Sequence, residues 1–203
     1  NPRIFKLSLI LIILKNFPKS LKFLLKMREI KFFGPINSVN ALLSTSIKQR
    51  KCAKSNKNKP VTSEDVCLSQ LQIKRDSTSN LIPAQVNLSA ITRNSRGFSL
   101  EVYSENGTLI LSSENQQDYV HGFGLWFAEK GQSLKPIQPD DDIVFKKTWK
   151  DGRIGPVAKI QELWAESIIN GHPMIPGLLE AMESQLVCDK IRESAKTGLT
   201  TNL

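Results

Sequence analysis

The chain has 203 residues and a net charge of +9, with 40% hydrophobic and 23% charged residues. That is a globular composition, so wholesale disorder, collagen and coiled coil are excluded. Three cysteines (Cys52, Cys67, Cys188) without a C-x-x-C pair, and two histidines (His121, His172), exclude a disulfide scaffold, a zinc ribbon and a His-rich metal site; they fit a reducing, cytoplasmic compartment.

The charge is unevenly spread. Residues 1–34 carry +7, residues 35–59 carry +6, and residues 60–203 carry −4. The bulk of the chain is mildly acidic and the basicity sits at its start. The chain begins at Asn1 and not at Met, which reads as a processed chain or a fragment. Residues 1–33 form a separate basic, apolar segment. Leu7–Leu14 is an apolar run too short to span a bilayer, and no small-x-small cleavage site follows it. Ser20–Phe33 mixes leucines with basic residues and reads as a helix entered at Pro18. Its apolar stripe is poorly separated from its charges, which favours packing on the following domain over a membrane surface.

From Gly34 the period changes to two. Val39, Ala41, Leu43, Thr45 and Ile47 predict a strand. Residues 48–60 read as a solvated Lys/Asn/Ser loop, and their lack of aromatics argues against single-stranded nucleic acid. Strand patterns recur at Val66–Lys74, Ala84–Thr92 and Phe98–Val102. Asn106-Gly107 predicts a type I′ hairpin, with Leu109 and Leu111 on the return strand. Tyr119–Phe127 is the next strand, and Leu134–Gln138 is a short edge strand because Pro136 cannot donate to a ladder. Two helices close the chain. One opens at Gly155-Pro156 with the stripe Val157, Ile160, Trp164 and Ile168, and stops at Asn170-Gly171. The second runs from near Pro176 to about Ala195, with a small-residue stripe through Ala181, Ser184, Cys188, Ile191 and Ala195. Leu179, Met182 and Leu186 widen its apolar arc, which predicts a sandwiched helix. Strands followed by helices indicate an α+β fold: a largely antiparallel open sheet, residues 34–203, with helices on one face.

No complete catalytic constellation is present. Gly122-Phe123-Gly124 lacks the third glycine of a dinucleotide loop and lies in a strand, where a bulge or a close approach explains it better. Asp140–Asp142 reads as a solvated turn, Cys188 as an inert core thiol, and His172 as a residue of the helix stop. No catalytic, cofactor-binding or metal-binding residue is assigned. The open sheet face, with apolar residues on both sides of several strands, predicts self-association. Tyr103, His121 and Trp126 are the interface candidates.

Several segments together resemble one family. Leu100–Leu111, Gly34–Ala41, the run Asp151-Gly152-Arg153-Ile154-Gly155-Pro156 and Asp118–Phe123 with Trp126 are similar, in collinear order over about residues 34–196, to the C-terminal half of the glucose–fructose oxidoreductase / inositol dehydrogenase family (Gfo/Idh/MocA). The resemblance implies an NAD- or NADP-dependent oxidoreductase of sugar- or polyol-like substrates, with a sheet used for oligomerisation. It places the cofactor in a Rossmann half that has no counterpart in these residues. It also places a proton-handling His and Asp in the helix before the sheet, where Leu24 and Met27 stand; neither can transfer a proton. The resemblance therefore implies a truncated or degenerate fragment that is inactive by itself and binds no cofactor alone. A non-enzymatic oligomerisation or scaffold module, held near a membrane by residues 1–33, is the alternative. Nucleic acid and membrane are not expected partners; a second copy of the chain is.

Overall fold

The computed structural model describes residues 34–74, 80–94, 97–113, 123–138 and 149–203. Residues 1–33, Tyr119, His121, Gly122 and Asp140–Asp142 lie outside them. The chain divides into two compact units. Of the described residues, one unit combines those from Gly34 to Arg93 with Leu178–Leu203, and the other takes those within Asn94–Gly177. The change of unit falls where Asn94 and Gly97 take positive φ, a conformation that cannot continue a strand.

The first unit holds β1 (Ile36–Ser44), β2 (Gln49–Lys51), β3 (Asn58–Pro60), β4 (Val66–Lys74), β5 (Leu81–Ser89) and β10 (Thr201–Asn202), with helix α2 (Leu178–Thr197). Its antiparallel sheet has the order β10-β1-β4-β5. Alternation along β1 and β4 puts Val39, Ser69, Leu71 and Ile73 on one face, and all four are buried. Helix α2 packs along β1 and β10.

The second unit holds β6 (Phe98–Ser104), β7 (Gly107–Ser113), β8 (Phe123–Glu129), β9 (Lys135–Pro136) and helix α1 (Ile154–Asn170). Its four strands are antiparallel neighbours in chain order. Phe98, Leu100, Val102, Leu109, Leu111, Phe123, Leu125 and Phe127 share one face by register, with Leu109, Leu111 and Leu125 buried. The edge strand expected around Pro136 is β9, at the margin of the sheet.

The α+β class and the antiparallel strands are as expected, but five details differ. The single open sheet is two four-stranded sheets. The basic loop 48–60 is the hairpin β2–β3, whose strands carry no hydrophobic alternation to announce them. Strand β10 is too short to show a period. The hairpin at residues 104–107 exists, yet Ser104 pairs with Gly107, so the loop is Glu105-Asn106. Neither Asn106 nor Gly107 has positive φ, which removes the type I′ turn. Gly107 is required for another reason: a Cβ there would overlap the carbonyl of Ala128 on β8.

The helices supply the fifth correction. Cys188 is exposed, and Leu179, Met182 and Leu186 are exposed rather than sandwiched. The inward line of α2 runs through Ser184, Val187, Ile191 and the fully buried Ser194. On α1 only Gly155 and Pro156 are buried; Val157, Trp164 and Ile168 are exposed. Periodicity identifies an apolar face but not what covers it. The predicted stop of α1 holds: Gly171 is left-handed and His172 N–H bonds the Ser167 carbonyl.

Candidate functional site

Two of the three interface candidates are described. Tyr103 lies on edge strand β6 and is 71% exposed. Its hydroxyl donates to Glu101 Oε2 at 2.5 Å, and the carboxylate holds its ionisation above the usual tyrosine range. Trp126 on β8 is half-buried and opposes Ile110 and Pro136. By register Glu101, Ile110 and Trp126 form one cross-strand row, and Tyr103 lies on the same face. Trp126 lies over Gly124, where a Cβ would overlap the indole. Of the bulge or close approach expected at these glycines, Gly124 shows a close approach, made by the Trp126 side chain. His121 lies outside the described residues.

A second surface was missed. The outer face of the first sheet is built from rows in direct register: Ser38–Gln72–Pro83, Asn40–Gln70–Gln85, Leu42–Leu68–Asn87 and Ser44–Val66–Ser89. None of these twelve positions is charged, although most of them are exposed. Ser38, Asn40, Gln70, Gln72, Pro83 and Gln85 line a shallow hollow of about 430 Å³. The Ser38 hydroxyl donates to Gln72 Oε1 at 2.8 Å and fixes which way that amide points. The legible signal was the absence of charge at alternate strand positions.

Two buried polar groups hold this unit together. Strand β10 covers the edge of β1 only at Ser38 and Val39. Beyond it, Ser194 Oγ accepts the Ala41 N–H at 3.0 Å and donates to the Leu199 carbonyl at 2.6 Å. Asp65 is buried, and its carboxylate accepts the N–H groups of Ser46 at 2.7 Å and Ile47 at 2.9 Å. These bonds hold it below the usual carboxylate range.

The remaining titratable groups do not converge. Burial pushes the Cys67 thiol up, a hydrogen bond from Ser55 pulls Cys52 down, and Asp151, forked on Arg153 at 2.6 and 2.8 Å, is lowered to about 2. Among the described residues no group of three or more His, Cys, Asp or Glu could hold a metal ion. No described helix is long and apolar enough to cross a membrane.

Antiparallel sheets with two helices define the described residues as an α+β domain. Residues 30–203 match the family described as "Oxidoreductase family, C-terminal alpha/beta domain", and the chain belongs to that Gfo/Idh/MocA family. It is 35% identical over 163 residues to an uncharacterised oxidoreductase of Synechocystis sp., covering 80% of this chain and 43% of that protein. The chain thus spans less than half the length of the curated relative it matches. Among solved structures, a levoglucosan dehydrogenase in complex with NADH and L-sorbose superposes with a TM-score of 0.63 at 15% identity, over 83% of this chain and 45% of that one. The aldose-aldose oxidoreductase of Caulobacter crescentus, complexed with glycerol, gives a TM-score of 0.59 at 17% identity, over 84% and 42%. At these identities the structural likeness concerns the fold.

Proposed function

We propose that this chain is the substrate-side and oligomerisation half of a cytoplasmic NAD(P)-dependent oxidoreductase of sugar- or polyol-like substrates. By itself it is a fragment that neither binds the cofactor nor transfers hydride. The observation that carries this reading is the uncovered apolar surface of both helices. Val157, Trp164 and Ile168 on α1, and Leu178, Leu179 and Met182 on α2, are each more than 40% exposed. Apolar faces of that kind mark surfaces that another body covers. The longer Synechocystis relative supplies a candidate, since more than half of it has no counterpart here. The polyhydroxylated compounds in the complexes of two structural neighbours, glycerol and L-sorbose, support the choice of substrate class.

The domain also self-associates through its open sheet surface. The uncharged rows around Asn40, Gln70 and Gln85 supply the support. Interface centres are depleted of charge, and amides both donate and accept, so a two-fold copy can satisfy them. Within the second unit, Tyr103 and Trp126 share one sheet face and are a separate pair of contact candidates. Titration calorimetry with NADH and NADPH is expected to show no binding, whereas a micromolar dissociation constant contradicts the reading. Joining the N-terminal part of the Synechocystis relative to residues 34–203 is expected to restore nicotinamide reduction with aldoses or polyols. In light scattering a monomer mass at tens of micromolar would refute the self-association.

A further inference from the structure

Beyond the oxidoreductase reading, and independent of it, stands the hairpin β2–β3. Its strands pair Gln49 with Pro60, Arg50 with Lys59 and Lys51 with Asn58. The Val61 N–H to the Lys48 carbonyl, and the Cys52 N–H to the Lys57 carbonyl, extend the ladder at both ends. By alternation Lys48, Arg50, Lys57 and Lys59 stand on one face. Lys51 and Lys54 bring the segment to six cations, with no acid between residues 35 and 59. All six are exposed, and among the described residues none has an ion-pair partner. Asp65 feels Arg50, but its oxygens are taken by the Ser46 and Ile47 amides. Directly opposed like charges, as in Arg50 and Lys59, work against the hairpin that displays them. An external anion removes that repulsion.

We propose that this hairpin docks the protein on an anionic lipid surface. Five of the six cations are lysines, point charges suited to diffuse headgroup attraction, whereas forked recognition of a base or phosphate favours arginine. The two strand amides that could read base edges, Gln49 and Asn58, lie on the face opposite the four cations, and Asn56 stands in the connecting loop. No aromatic residue is present to stack on a single strand. An aliphatic side chain adjoins the base of the hairpin: Ile47, which directly precedes Lys48, is 38% exposed. Stable attachment to a membrane surface takes basic and apolar signals together.

The test is sedimentation of the full chain with vesicles of phosphatidylcholine alone or with 30% phosphatidylserine. Binding is expected only to the anionic vesicles and is expected to fall steeply between 0.1 and 0.5 M salt. Each cation near the surface contributes about five-fold to partitioning. The variant Lys48→Gln/Arg50→Gln/Lys57→Gln/Lys59→Gln should therefore lose about two to three orders of magnitude, without a lower melting temperature because repulsion is relieved. The double variant Arg50→Gln/Lys59→Gln, which removes only the opposed pair, should lose more than ten-fold. Equal binding by wild type and quadruple variant, equal binding to neutral vesicles, or tighter binding to a labelled DNA duplex than to anionic vesicles would overturn the proposal.

Discussion

Ser194 shows how much a single hydroxyl can be asked to do. It lies fully buried where β10 ends and β1 would otherwise show an unpaired edge, and it bonds one backbone group on each side of the gap. Ser194→Ala leaves the Ala41 N–H without a partner, and a loss of about 2 kcal/mol in urea unfolding is expected. Asp65 has a comparable role at the turn after β1. Its folded-state ionisation is depressed by the Ser46 and Ile47 amides, so its contribution is complete above the unfolded value near pH 4. That contribution is lost as pH falls through the lower folded value. Unfolding midpoints should therefore drop on acidification below about pH 4, and Asp65→Asn should flatten that drop while lowering stability at neutral pH. An unchanged acid slope in the variant would assign the loss to other carboxylates.

At the scale of elements, the two hairpins were read with opposite success. The strands on either side of Glu105-Asn106 alternate strongly, so the connection was legible. Its turn type was not, because Asn-Gly signals a conformation only when nothing else needs the glycine. Here β8 needs it. Gly107→Ala is expected to cost about 1–3 kcal/mol, since a backbone carbonyl yields less readily than a side chain. Thermal melts of Gly107→Ala against Asn106→Ala separate the two explanations: the first should melt lower and the second should be near wild type. The basic hairpin is not legible in the sequence, because strands of three residues with no buried face carry no period. The helix stop at Asn170-Gly171 was legible because a left-handed terminus is a local backbone demand.

For the whole molecule, the last residues close on the first described ones. Thr201 pairs with Val39, and the Leu203 N–H bonds the Asn37 carbonyl, so β1 lies between the C-terminus and β4. Every strand pairing described for that unit lies C-terminal to the first 33 residues. Removing them is expected to leave a cooperative thermal transition and to raise solubility. A broad, non-cooperative melt of residues 34–203 would show that the removed segment belongs to the core. Alternation and turn residues were enough to determine the α+β class and the antiparallel strands, because each is set by local backbone preference and by which residues avoid water; the family was legible only through the resemblance of its collinear motifs. The division into two sheets, the capping of β1 by Ser194, the clash that reserves position 107 for glycine and the uncharged outer face were decided by the tertiary structure. Each depends on which strand or helix lies alongside, and residues such as Ala41 and Ser194 meet only once the chain has folded.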